Sequence, residues 1–168
     1  GNRKNLSIII LDPKKEFECL GTIYIEYDSQ KSFSKRSKHP YDAESLASTS
    51  KELILFSKNR VNHTTELYFI PKKAGSYKLN SETSLNVESL ITGGDYNESI
   101  NLIALVGYNS EGDQFIYKIN NFDSKDLNKI SFIRYEMPIK NAQIEAIKII
   151  DESTFWITSE DEGVGYPR

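Results

Sequence analysis

Tyr41-Asp-Ala-Glu-Ser-Leu-Ala-Ser-Thr-Ser-Lys-Glu-Leu-Ile-Leu-Phe-Ser-Lys-Asn-Arg60 reads as a β-hairpin, two short apolar strands around a polar turn, with the acid Glu44 opening the first strand. The pattern returns as Leu90-Ile-Thr-Gly-Gly-Asp-Tyr-Asn followed by Leu102-Ile-Ala-Leu-Val-Gly-Tyr108, and again from Ile144 to Ser159. The opening acids are then Glu44, Asp95 and Glu145, 51 and 50 residues apart. A period near fifty with several short strands per period predicts an all-β chain of β-propeller type, built from four-stranded antiparallel blades.

Outward from the first hairpin, Asn5–Asp12 and Cys19–Tyr27 read as strands dense in β-branched residues. In the second, Thr22, Tyr24 and Glu26 are expected on one face and Ile23, Ile25 and Tyr27 on the other. These two look like the outer half of a blade. The polar, basic run from Asp28 to Pro40 reads as an exposed connection. Thr65–Ile70 is a third strand after the hairpin, and a fourth is expected within Ser76–Val87. Gln114–Ile119 and Ile130–Tyr135 complete the next unit, with one helical turn at Asn121–Asn128 and Ser124 as its candidate N-cap. One partial propeller domain over residues 1–168 then divides into an outer half blade (1–40), two whole blades (41–89 and 90–140) and an inner half blade (141–168). That makes about three blade equivalents, whereas closed propellers use roughly 4 to 8. The ring is expected to be completed by the rest of a longer propeller or by a second copy of the chain.

Composition narrows the function. The net charge is −3 with acids and bases interspersed, which leaves no electrostatic footprint for nucleic acid. No apolar run approaches the roughly 20 residues of a membrane-spanning helix. The single Cys19 excludes an intrachain disulfide and is expected as a small core residue, and 2 histidines, His39 and His63, argue against a histidine-rich zinc site. There is no nucleophile elbow and no phosphate loop; Gly93 and Gly94 are expected where backbones approach closely.

Gly1-Asn-Arg-Lys-Asn-Leu-Ser-Ile, Tyr41-Asp-Ala-Glu-Ser-Leu, Leu55-Phe-Ser-Lys-Asn, Leu90-Ile-Thr-Gly-Gly-Asp-Tyr-Asn, Leu105-Val-Gly-Tyr and Phe155-Trp-Ile-Thr-Ser-Glu160 resemble, in the same order, recurrent motifs of secreted six-bladed propeller proteins of Bacteroidetes-type bacteria. Those proteins are associated with type IX secretion and have no assigned reaction. The resemblance covers the C-terminal half of that propeller. It implies a six-bladed parent and an extracellular, periplasmic or cell-surface location.

In a propeller the first strand of each blade lines the channel, and the second returns to the same rim. Pairing across the hairpins places Glu44 near Ser57 and Lys58, Asp95 near Gly107 and Tyr108, and Glu145 near Thr158, Ser159 and Glu160. One mouth should then carry Asp42, Glu44, Lys58, Asp95, Tyr108, Glu145 and Glu160. Three chemistries suit such acids. They can accept backbone N–H bonds and lock neighbouring blades in register. Glu44, Asp95 and Glu145 can hold a hard cation such as Ca²⁺ through oxygen. Or they can act as a catalytic acid/base or metal-hydrolytic site. The function expected is a secreted binding or interaction scaffold with an acidic channel mouth, its ligand gripped by the loops 59–64, 108–113 and 161–166. The alternative is a metal-dependent secreted hydrolase of the phosphatase or lactonase propeller type.

Overall fold

Alternating apolar and polar residues give short strands throughout the chain, and polar turns separate them. The computed structural model describes residues 3–160, and the chain is all-β, 58% strand and 4% helix. The strands are β1 (Leu6–Asp12), β2 (Glu18–Tyr27), β3 (Asp42–Ser48), β4 (Glu52–Lys58), β5 (Thr64–Pro71), β6 (Gly75–Leu79), β7 (Thr83–Asn86), β8 (Leu90–Asn97), β9 (Leu102–Tyr108), β10 (Asp113–Asn120), β11 (Ile133–Lys140), β12 (Gln143–Ile149) and β13 (Phe155–Glu160). They form four sheets, ordered β1-β2-β6, β3-β4-β5-β7, β8-β9-β10-β11 and β12-β13. The chain passes to a new sheet between β2 and β3, between β7 and β8 and between β11 and β12, and β6 departs from the second sheet to join the first. No helix among the described residues is long and apolar enough to cross a membrane.

The sheets stack face to face in chain order, each pair enclosing one apolar layer. Ile23, Ile25, Leu55, Tyr68 and Ile70 lie between the first and second sheets. Phe56, Leu67, Ile103, Leu105 and Tyr117 lie between the second and third. Ala104, Val106, Ile144, Ile147 and Ile149 lie between the third and fourth. The alternation expected in β2 holds, since Ile23, Ile25 and Tyr27 are buried while Tyr24 is exposed. Removing such side chains from water, at about 25 cal/mol per Å² of apolar surface, is the main stabilising term.

Three expectations are corrected. The stretch 76–87 holds two strands, not one: β7 closes the second sheet, whereas β6 leaves it and pairs parallel with β2 of the first, Ile23 opposite Gly75 and Tyr27 opposite Leu79. Gly21 permits this docking, because a Cβ there would stand 2.6 Å from the Cβ of Ala74. The helical turn falls at Leu127–Lys129, after Asp126, not at Asn121–Asn128. Asp123 Oδ1 accepts from the Lys125 N–H (2.9 Å) and makes a side-chain turn where a helix would have had to start at Ser124. Cys19 is exposed: a bulge after Ile10 shifts the register, so that it pairs with the exposed Leu11 near the end of the β1–β2 hairpin.

Candidate functional site

The first strands of the second, third and fourth sheets, β3, β8 and β12, lie side by side. Each carries a β-bulge on its third residue. Glu44 is the extra residue between the pairs Ala43–Ser57 and Ser45–Phe56, and Glu145 that between Ile144–Ser159 and Ala146–Thr158. The equivalent in β8 is Thr92, between Ile91–Gly107 and Gly93–Val106. Bulges turn a side chain out of the regular alternation, and here the shared bulge defines one end of the three strands.

This overturns one placement. Asp95 does not join Glu44 and Glu145, and it pairs with Ala104 rather than near Gly107 and Tyr108. It sits three residues past the bulge, where its Oδ2 accepts from the Ile149 N–H of β12 (2.9 Å) and from Lys148 Nζ (2.9 Å). Asp95 is thus a strut between the third and fourth sheets. The sequence register failed because the acid was aligned with the acid, while the backbone aligns the bulge with the bulge. At the bulge Thr92 donates to the Ile144 carbonyl, and a Cβ on Gly93 would meet the Glu145 carbonyl oxygen at 2.6 Å. Gly94 has Ser45 Oγ against the same position on its other side, so the close approach expected at this glycine pair is present.

The remaining expected residues gather at the bulged end. Asp42 lies opposite Lys58 across the β3–β4 ladder, and Glu160 opposite Gln143 at the end of β13. Lys58 is only 3% exposed, and its ammonium stands 5.3 Å from the centre of the Tyr108 ring, within cation–π range. Arg60, which sequence reading missed, donates from Nε to Asp42 Oδ2 at 3.1 Å, with His39 Nε2 at 4.0 Å from the same oxygen. Its signal was position: it follows Lys58-Asn59, where the chain leaves β4 beside the acids.

Electrostatics divide these acids. Burial pushes the Glu44 carboxyl above its ordinary value, helped by the Asp42 charge and opposed by Lys58. Burial also raises Glu145, with Glu44 and Glu160 adding repulsion and Lys58 and Arg60 resisting. For Asp42, burial is the largest single influence and pulls upward, but the Arg60 hydrogen bond together with the charges of His39 and Arg60 outweighs it and holds the carboxyl below its usual range. So Glu44 and Glu145 sense each other from non-adjacent sheets, whereas Asp42 is paired with Arg60 while also hydrogen-bonded to Glu44.

Two of the three expected loops are organised by an asparagine directly after the second strand. Asn59 Oδ1 accepts from the Val61 and Asn62 N–H groups, and Asn109 Oδ1 from those of Glu111 and Asp113. The loop 161–166 lies outside the described residues. No group of three or more His, Cys, Asp or Glu side chains converges as a ligand set among the described residues, and Asp95 is separated from Glu44 and Glu145, so these three do not gather as the cation site that was one of the three chemistries weighed. Comparison of the chain with protein-family models, curated proteins and solved structures gives no match.

Proposed function

We propose that the chain is part of a β-propeller that serves as a binding module, its ligand carrying a positive group that docks at the bulged end of β3, β8 and β12. In this reading each sheet is a blade or half blade, and the three first strands line a shared channel. Support comes from the face-to-face stacking of the sheets and the repeat of one bulge in each first strand. The resemblance to exported propellers supports a location outside the cytoplasm.

The observation that carries the binding role is the charge balance at the mouth. Asp42, Glu44, Glu145 and Glu160 face two cations, Lys58 and Arg60, of which Arg60 is paired with Asp42. Glu44 and Glu145 are left as partly buried carboxyls whose charge is incompletely compensated. An ammonium or guanidinium placed between them would lower both pKa values and recover part of their desolvation cost.

Titration calorimetry with a tetralysine peptide at low salt tests the role. Binding should weaken as salt rises, and Glu44→Gln together with Glu145→Gln should weaken it about tenfold or more, which is 1.4 kcal/mol per tenfold. Equal affinity in that double variant would show that the mouth is not the binding site.

A further inference from the structure

Of the two cations placed at the bulged end, Arg60 is engaged and Lys58 is not. The Arg60 guanidinium donates to Asp42 Oδ2 (3.1 Å) and also to the Tyr108 hydroxyl. Lys58 lies opposite Asp42 across the β3–β4 ladder, and residues directly opposite share a face, so Asp42 is the partner its register offers. Arg60 holds that carboxylate instead. Among the described residues the Lys58 ammonium makes neither a hydrogen bond nor an ion pair, although the residue is only 3% exposed. Buried ammoniums are ordinarily paired, because desolvation penalises an uncompensated charge.

Alternation along β4 sets the direction of this side chain. Ser57 turns to the face where its hydroxyl donates to Glu66 (2.5 Å), so Lys58 leans the other way, onto the third sheet. There its nitrogen stands 5.3 Å from the centre of the Tyr108 ring. Glu44 and Glu145 both feel its charge, at a range longer than an ion pair. The nitrogen is not among the fully enclosed polar atoms that lack a partner, so it opens to solvent and to a ligand.

The bulged end is therefore two-sided. Glu44 and Glu145 are acceptors with incompletely compensated charge, and Lys58 beside them is a donor without an acceptor. A ligand that is only a cation satisfies the acids but is repelled by Lys58. One that carries an ammonium and a carboxylate close together satisfies both sides. An α-amino acid has that spacing, since a single carbon joins its two charged groups. We propose that the bulged end binds the zwitterionic head of an α-amino acid, its ammonium between Glu44 and Glu145 and its carboxylate on the Lys58 ammonium beside Tyr108. This inference rests on the binding reading above and names its ligand class. The carboxylate supplies the acceptor that Asp42 withholds, through a charge-assisted hydrogen bond.

Titration calorimetry on the whole chain at low salt, with L-lysine, its methyl ester and cadaverine, tests this. Lysine carries one net positive charge, whereas the ester and the diamine carry two, so charge alone makes an acidic site prefer them. The expected result is the reverse, with L-lysine bound about tenfold more tightly than either, the scale of one hydrogen bond between charged groups. Lys58→Met should erase that preference and tighten cadaverine, by removing a like charge. Glu44→Gln with Glu145→Gln should weaken all three compounds. Equal or tighter binding of cadaverine or the ester by the wild-type chain overturns the proposal. So does a lysine preference that survives Lys58→Met, or a lack of binding by all three. Should Lys58→Met misfold, the wild-type order decides. Tetralysine separates the two levels: if it binds through Glu44 and Glu145 while lysine shows no preference, only the zwitterion fails. If tetralysine does not bind, the binding reading itself fails.

Discussion

Carboxylates stand at both ends of the adjoining strands β3, β8 and β12, in opposite conditions. At the end away from the bulges, acids of the third sheet are tied to both neighbours. Asp95 accepts from the Ile149 N–H of the fourth sheet, and Glu98 from the Ser50 N–H (3.0 Å) and hydroxyl (2.7 Å) at the β3–β4 turn of the second. At the bulged end, Glu44 and Glu145 face other charges, and burial raises both pKa values. The difference lies in what the backbone offers. A carboxylate that meets an N–H left over from a neighbouring strand becomes a bolt between sheets. One that a bulge has turned toward other acids keeps capacity for something else.

The largest effect should come from closing the gap between the two ends. Gly93→Ala forces a Cβ against the Glu145 carbonyl, which is backbone and cannot swing aside. Urea unfolding should show a loss of about 3 kcal/mol, the upper part of the usual range for overpacking. A neutral result would mean that the third and fourth sheets do not depend on this approach.

Asp95→Ala should cost less, about 1–3 kcal/mol, because it leaves the N–H of the buried Ile149 without its acceptor. The same unfolding assay checks it. If Asp95→Ala were silent, the contrast between bolted and unbolted acids would fail.

The smallest effect is expected at the bulged end, with the opposite sign. Folding raises the pKa of Glu44 and Glu145, so the folded state holds protons more tightly than the unfolded chain. Stability therefore falls as pH rises from the ordinary glutamate value of 4.5 through the raised folded value. Glu44→Gln or Glu145→Gln removes that penalty and should raise Tm at pH 7, with the gain fading below about pH 4.5, where the native side chain is itself protonated. Asp42 runs the other way. Its depressed pKa contributes stability above 3.8 that is lost as pH falls through the folded value, so Asp42→Asn should lower Tm at pH 7. Thermal scans from pH 7 down to about pH 2 would separate the two signs.

The strands and their breaks were legible because periodicity and turn residues are local. So was the nearness of Glu44 to Ser57 and of Glu145 to Thr158 and Ser159, which follows from hairpin geometry once the turn is located, although both acids are the unpaired bulge residues. Asp95 was misplaced because a bulge leaves no mark in the apolar pattern, and the bulged residue of β8 is a threonine. β6 escaped because its five residues fit the period of any strand, and nothing local in Gly75-Ser-Tyr-Lys-Leu79 says that its partner is β2. Cys19 was misread as core for the same reason: a register shift moves a residue between faces without altering the sequence around it.

The crossing of β6 to the first sheet also sets an order of events during synthesis. Until Gly75–Leu79 leaves the ribosome, the edge of β2 that β6 covers has no partner. That edge of β2 must therefore wait bare while β3, β4 and β5 are translated. That interval is when the nascent chain is most exposed to association with its neighbours on a polysome or to capture by a chaperone. Slowing translation between Asp28 and Gly75 would lengthen it, so codon choice in that segment bears on the yield of soluble protein.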